Sequence, residues 1–274
     1  MAGPRLLSST KAPLVRRIRA LAARSTRDAE GRFILDGVRL IEEALAANVP
    51  LEVCVYDPTA PRASSRLAAL LETLRDRGVR LVPAAPHVIA AASQVETPQG
   101  IVAVAGFPQT APAAALDDAA LLLVVADAIQ DPGNLGTIVR VADAAAATAV
   151  AITGTAADPH HPKTVRATMG SLFHLPVFEM ATEALIGALW DRAVRVLVAD
   201  QRGATEYSSA DYRPPIALVF GSEAVGPDPR WIAAAAAMLR IPIHGRAESL
   251  NVAMAAGLLL YEARRALRGE EVRK

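Results

Sequence analysis

The chain has one cysteine, Cys54, in 274 residues, which excludes both a disulfide framework and a cysteine-rich metal site. A lone thiol fits a reducing compartment. Aromatic residues are only 4% of the chain, so the core has to be built from Ala, Val, Leu and Ile. No stretch approaches the roughly 20 apolar residues that span a bilayer. Met1 to Ala20 alternates basic with apolar residues and lacks the continuous apolar run of a signal peptide. A soluble, cytoplasmic protein is expected.

What is present is a chain 52% hydrophobic and 21% charged, long enough for one large domain or two modest ones. The net charge of +1 hides an asymmetry. Residues 1–39 carry nine basic side chains (Arg5, Lys11, Arg16, Arg17, Arg19, Arg24, Arg27, Arg32 and Arg39) against the three acids Asp28, Glu30 and Asp36. Such an excess suits a polyanion, because Lys and Arg neutralise phosphates and release counterions. A solvated helix face with its stems packed on apolar neighbours explains it equally well.

A break is expected near residue 110, where the uncharged stretch Phe107–Ala115 is rich in Pro and Ala and reads as a linker. The domain boundaries that follow are 1–107, a linker at 108–118, and 119–274. Before the break the pattern predicts helices at Pro13–Ala23, Gly37–Ala47, Arg62–Gly78 and Pro86–Ala92. Strands are predicted at Arg32–Leu35, Leu51–Tyr56, Val79–Val82 and Gly100–Ala105, which together make a small α/β/α unit. After it, Leu121–Ala126 is a continuous apolar run of the kind buried on both faces of a sheet. Helices are then expected at Gly136–Ala146, Lys163–Ser171, Thr182–Ala193, Asp228–Ala237 and Val252–Arg264. They alternate with strands at Ala149–Ile152, near Val177, and at Arg195–Ala199, Ile216–Phe220 and Met238–Ile241. Alternation of this kind predicts a parallel sheet covered on both faces. In open sheets of that class ligands bind beyond the carboxyl ends of the strands.

Three polar motifs fall at such ends. The first is Asp131-Pro132-Gly133-Asn134-Leu135-Gly136, running into a helix that carries Arg140 among Leu135, Ile138, Val139 and Val141. Asn134 is a candidate helix cap. Arg140 cannot be buried there unpaired, so it either reaches water or meets an anion. The second is Phe220-Gly221-Ser222-Glu223-Ala224-Val225-Gly226-Pro227, whose glycines allow a close backbone approach. It follows neither G-x-G-x-x-G nor G-x-x-x-x-G-K-[ST], which makes a phosphate cradle of the P-loop type a poor reading, and an ordinary strand–turn–helix link with Glu223 near a helix N-terminus accounts for it without a function. The third is Ile241-Pro242-Ile243-His244-Gly245, followed by Ser249-Leu250-Asn251-Val252. Ser249 and Asn251 sit where a helix begins, and each is a good N-cap with no function required.

Taken together, in this order, the three motifs resemble the SpoU/TrmH family of RNA 2′-O-methyltransferases of the trefoil-knotted SPOUT class. Asn134 and Arg140 match its first motif, Gly221, Glu223 and Gly226 its second. Ile241, Pro242, Gly245, Ser249, Leu250, Asn251 and Val252 match its third. The intervening Asp158-Pro159, Lys163, Arg166-Ala167 and Met169–Phe173 also fit, and the resemblance covers residues 121–268. More weakly, Arg32–Ala44 is similar to the substrate-binding domain of the ribosomal L30e type that many such enzymes carry.

The resemblance implies an α/β protein with a deeply knotted C-terminal parallel-sheet domain behind a small L30e-like domain. It implies S-adenosylmethionine bound on backbone groups around Gly221, Ile241 and Leu250. The reaction it implies is attack of a ribose 2′-hydroxyl on the donor methyl. Arg140 is the group the family proposes for activating that hydroxyl. An arginine is effectively always protonated, so a bidentate grip on the adjacent phosphate is the alternative role. Asn134, Glu223, Ser249 and Asn251 would form the surrounding hydrogen-bonding shell. Arg16, Arg17, Arg32, Lys163 and Arg166 would contact RNA. No metal is implied, and His160, His161 and His244 read as surface or structural residues. Two departures stand out: Ala146-Ala147 where the family has Phe-Gly or Cys-Gly, and Ser222 where relatives often have Asn. A homodimer through the C-terminal domain, with the Val252–Tyr261 helix taking part, is expected. Ribosomal RNA is the expected substrate, and the extra N-terminal domain is the reason. Transfer RNA, and a non-catalytic RNA-binding or ribosome-assembly factor, are the rival readings.

Overall fold

The computed structural model describes residues 6–60 and 64–271. Arg5 and the start of the helix expected from Arg62 lie outside them. In chain order the elements are α1 (Pro13–Ala20), α2 (Arg24–Glu30), β1 (Arg32–Asp36), α3 (Val38–Ala46), β2 (Leu51–Tyr56), α4 (Ser65–Asp76), β3 (Arg80–Pro83), α5 (Pro86–Ala92) and β4 (Ile101–Gly106). There follow α6 (Pro112–Leu116), β5 (Leu122–Asp127), α7 (Pro132–Ala144), β6 (Ala149–Thr153), α8 (Pro162–Thr168), β7 (Val177–Glu179), α9 (Thr182–Asp191) and β8 (Arg195–Ala199). The chain closes with β9 (Thr205–Glu206), β10 (Ile216–Phe220), α10 (Pro229–Ala234), β11 (Ala237–Arg240) and α11 (Val252–Glu271).

These elements form two compact units. One takes in the chain as far as Gln109 together with His160–Phe173, the other Thr110–Pro159 and His174 onward. The first unit holds a four-stranded sheet in the order β1-β4-β2-β3, antiparallel except for the β2–β3 pair. Val15, Ile18 and Leu21 at the α1 end pack on Ile34, Val53, Val55, Val102 and Val104 of the sheet. The helix predicted over Pro13–Ala23 stops at Ala20, and a second one, α2, begins at Arg24. Arg27 explains the join. Its side chain is buried and its guanidinium donates to the carbonyls of Leu21 (2.8 Å) and Ala22 (2.7 Å), carbonyls that the first helix leaves over at its end. One of the nine basic residues is therefore internal.

Segment His160–Phe173 reads in sequence as part of the C-terminal domain, yet α8 packs against β1. The His160 ring stacks on Phe107, with centroids 4.0 Å apart and planes 12° from parallel, and meets Phe33 edge-on at 5.0 Å. The ring of His161 caps α8, Nδ1 accepting from the Lys163 N–H (3.1 Å). α8 is shorter than predicted because Met169 turns left-handed at its end.

The second unit is a seven-stranded, wholly parallel sheet in the order β7-β6-β5-β10-β8-β11-β9. All residues of β5 and β10 are buried, as continuous apolar runs at the centre of a two-sided sheet require. The stretch expected to be a linker contains α6, whose Leu116 sits in this unit's core with Leu121, Leu123 and Trp231. The helix expected over Asp228–Ala237 ends at Ala234, and the chain is already a strand at Ala237, pairing with β8. An alanine run carries no periodicity to mark that switch. α11 packs along α7, and Arg264 donates through Nε to the Ala145 carbonyl and through Nη2 to the Ala146 carbonyl, just beyond the α7 end.

Candidate active site at the carboxyl ends of β8, β10 and β11

Loops leaving β8, β10 and β11 surround a cavity of about 390 Å³, and the first turn of α11 closes one side. Its walls are mostly apolar and include Phe220, Gly221, Leu239, Ile241, Leu250 and Val252. Ser249 and Glu223 line it too, as do Asp200 and Arg202.

The loop after β10 is wound very tightly. The Gly226 N–H donates to the Ser222 carbonyl (2.8 Å) and the Ser222 hydroxyl accepts from the Ala224 N–H (3.3 Å). A Cβ placed on Gly221 would lie 2.1 Å from the Pro227 nitrogen and 2.4 Å from its Cα. Only glycine fits. Gly226 has φ 76°, which other residues adopt at a cost.

Asn134, Glu223 and Asn251 come together from three separate segments of the chain. Asn134 Nδ2 donates to Glu223 Oε1 at 2.7 Å. Asn251 Nδ2 lies 3.0 Å from Asn134 Oδ1 and 3.1 Å from Glu223 Oε1. The Val252 N–H points at the same carboxylate oxygen from 3.4 Å. Asn251 caps α11 with its other end, Oδ1 accepting from the Ala253 (3.0 Å) and Met254 (3.3 Å) N–H groups. Asn134 does not cap α7. That position belongs to Asp131, whose Oδ1 accepts from the Asn134 N–H at 2.9 Å, because Pro132 fills the first helical position, where its missing N–H costs nothing. The shift frees the Asn134 side chain for Glu223.

Arg140 stands apart. It is exposed on α7 and does not line the cavity. Six residues on from Asn134, it lies about 9 Å further along the helix axis and about 120° around it. Ser249 is exposed at the cavity edge.

Two acids that the sequence did not single out lie at the strand ends around the site. Asp127, buried at the end of β5, accepts from the Thr153 hydroxyl through Oδ1 (2.8 Å) and from the Asp228 N–H through Oδ2 (2.9 Å). It ties the end of the 221–227 loop to the sheet. The second, Asp200, closes the β8 run next to Arg202. An acid ending an apolar run at a strand's carboxyl end was the available signal for both.

The five candidate RNA contacts all fall in the first unit. Arg16 and Lys163 are exposed. Arg166 donates to the Gln94 carbonyl (3.4 Å). Arg17 is committed elsewhere: it donates to Glu30 (2.8 Å) and, through both terminal nitrogens, to Glu52, which Arg32 also reaches (3.3 Å). Those hydrogen bonds hold the Glu52 carboxyl below its ordinary range. Arg17 and Arg32 thus carry local neutralisation that the charge count did not show. Elsewhere in this unit, burial pushes the Cys54 thiol up to about 12, so it is no nucleophile. Among the described residues no group of three or more His, Cys, Asp or Glu side chains could hold a metal, and no helix is long and apolar enough to cross a membrane.

A parallel α/β unit whose strand-end loops wrap one cavity, with an amide–carboxylate cluster at its rim, defines a ligand-handling domain. Residues 121–261 match the SpoU rRNA Methylase family and residues 12–103 the MRM3-like substrate binding domain. The 23S rRNA (guanosine(2553)-2′-O)-methyltransferase RlmP of Bacillus subtilis is 34% identical over 94% of this chain and 98% of its own length. The crystal structure of the SpoU methyltransferase AviRb of Streptomyces viridochromogenes, in complex with AdoMet, superposes with a TM-score of 0.85 at 30% identity. It covers 93% of this chain and 98% of that one. A solved structure concerned with 2-OH methylation of C/U34 on tRNA matches 56% of this chain and 99% of its own at a TM-score of 0.51 and 29% identity. The chain belongs to the SpoU rRNA methylase family.

Proposed function

We propose that this chain is an S-adenosylmethionine-dependent RNA methyltransferase that modifies a ribose 2′-hydroxyl of ribosomal RNA. The observation that carries the reading is the cavity walled by Gly221, Ile241 and Leu250 with the Asn134–Glu223–Asn251 cluster at its rim. A cavity of about 390 Å³ is within the range of small-molecule sites, roughly 300–1,000 Å³. Its mostly apolar walls suit an adenosine with a short aliphatic arm. The bound donor supplies an electrophilic methyl group on a sulfonium. Transfer of that methyl to the ribose oxygen would leave a neutral thioether and release the hydroxyl proton to water at the cavity mouth.

The chain's own groups position the acceptor. Glu223 takes hydrogen bonds from Asn134 and Asn251 and keeps both amides oriented, leaving polar atoms at the cavity mouth for a ribose. Arg140 grips the neighbouring phosphate bidentately, which lowers the cost of the developing negative charge on the oxygen. Its exposure, outside the cavity of its own chain, fits delivery across a dimer interface. Met254, Leu258 and Tyr261 support that interface. They recur at helical spacing along α11, and Met254 and Tyr261 are 63% and 58% exposed. A second copy of the chain covers that stripe. Replacing Met254 and Tyr261 with Asp is expected to turn a dimer into a monomer in sedimentation, and an unchanged mass excludes this face. We infer also that the chain around β10, β11 and the 241–251 segment is threaded as the family's trefoil knot. β10 lying between β5 and β8, with β11 on the far side of β8, supports it.

Arg16, Lys163 and Arg166 would hold the RNA from the first unit. That unit favours ribosomal over transfer RNA, because the tRNA-related structure matches only 56% of this chain. The test is transfer of tritiated methyl from the donor to 16S, 23S and transfer RNA, followed by mapping of the modified ribose. Label confined to transfer RNA would overturn the substrate, and no label in any RNA would overturn the activity.

A further inference from the structure

Asp200 is the one carboxylate besides Glu223 in the cavity wall, and neither the motifs nor the chemistry above uses it. We propose that Asp200 is the recognition residue for the ribose hydroxyls of the methyl donor, accepting a hydrogen bond from them at the carboxyl end of β8. The proposal rests on the donor-site reading of the cavity given above.

Several observations lead there. The Asp200 side chain is only 7% exposed, while its ion-pair partner Arg202 is 70% exposed. Its backbone is pinned: the N–H donates to the Leu239 carbonyl (2.9 Å) of β11, and its own carbonyl accepts from the Gly203 N–H (2.9 Å). A rigid carboxylate in a cavity wall is a poor surface charge and a good recognition element. Its acceptor sites are not all used. Oδ1 takes the Arg202 N–H (2.8 Å) and Nε (2.9 Å), and Oδ2 takes one guanidinium nitrogen (2.6 Å). An ionised carboxylate has about four acceptor positions, which leaves one on Oδ2. Apart from Gly226 and its chain neighbours, that oxygen is the one heavy atom a Cβ on Gly226 would meet within 4 Å, at 4.0 Å, and both residues line the cavity.

The charge state selects the ligand group. Arg202 neutralises Asp200 and holds its carboxyl below the ordinary range. The pair therefore offers an acceptor without net charge, which suits a neutral hydroxyl better than the ammonium of the methionine arm. A carboxylate at a strand's carboxyl end taking a ribose hydroxyl is also a chemically familiar pairing in open α/β sheets.

The test separates ribose from ammonium by choice of probe. Calorimetry would measure 5′-methylthioadenosine, which keeps the ribose and lacks the amino-acid arm, and its 2′,3′-dideoxy analogue, against the wild-type protein and Asp200→Ala. A hydrogen bond to a charged group predicts a tenfold or greater loss for either change alone. The two losses should not add, because both delete one interaction. Asp200→Asn, which keeps the shape and one carbonyl acceptor, should fall between the two proteins and guards against misfolding of the alanine variant. Wild-type affinity in Asp200→Ala, or equal losses for the two probes, would overturn the assignment. A wild-type protein that binds neither probe nor the full donor would overturn the cavity reading itself, and the assignment with it.

Discussion

Gly221→Ala is the sharpest test of how the cavity is built. The added Cβ would stand 2.1 Å from the Pro227 nitrogen, 2.4 Å from the Pro227 Cα and 2.5 Å from the Gly226 carbonyl carbon, where ordinary contact begins at 3.4 Å. All three are backbone atoms, so no side-chain rotation relieves the clash and the 221–227 loop has to open. Adding a methyl to a packed site costs about 1–3 kcal/mol, and a backbone obstacle puts this case near 3 kcal/mol. At about 2–4 °C per kcal/mol for a domain of this size, melting should fall by roughly 6–12 °C. Because the same loop walls the cavity, donor affinity measured by calorimetry should fall at least tenfold. Gly245→Ala is the control. A Cβ there meets nothing within 4 Å, so its stability should stay within about 0.5 kcal/mol of wild type. A Gly221→Ala protein that melts and binds donor like the wild type would refute the close approach on which the site rests.

Arg140→Ala should abolish methyl transfer to RNA while donor affinity and melting stay near wild type, since Arg140 is exposed and outside the cavity; retained turnover removes its role. Asn251→Ala should cost about 1 kcal/mol as a lost helix cap and lower turnover further by leaving Glu223 and Asn134 without their shared partner. Turnover reduced no more than in a distant variant of equal melting temperature would limit Asn251 to capping. Glu52→Gln tests the acid side of stability. Arg17 holds the folded Glu52 pKa below its unfolded value, so its contribution is complete above about pH 4.3 and disappears as pH falls through the lower, folded value. The melting gap between wild type and variant should therefore close in acid. It should be small throughout, because both partners are about a third exposed.

The strands were the most readable part of the chain. Leu121–Ala126 and Ile216–Phe220 are unbroken apolar runs, and a strand buried on both faces has no other sequence signature. Helix ends were less readable where capping and tertiary packing decide them. Arg27 hides the break between α1 and α2, since a buried arginine bound to carbonyls looks in sequence like one more surface charge. The strand at Ala237 is set by pairing to β8, and nothing in the alanines before it marks the change. At the candidate site the motifs named Asn134, Glu223 and Asn251 individually. That one carboxylate oxygen serves both amides is a matter of three distant segments converging. Asp127 and Asp200 went unread because each is a single acid whose purpose depends on neighbours far along the chain.

The placement of His160–Phe173 bears on how this chain can be cut. The chain passes between its two compact units three times, near residues 109, 159 and 173. A protease nick in the Phe107–Ala111 stretch would sever one crossing, yet the larger fragment would still carry α8 and His160, which pack on β1 and Phe107 of the smaller one. Fragments 1–109 and 110–274 should therefore co-elute after such a nick and reassemble when mixed. Neither fragment is expected to be as stable alone as in the intact chain. One would lack, and the other would carry, the His160–Phe173 piece that packs in the small unit.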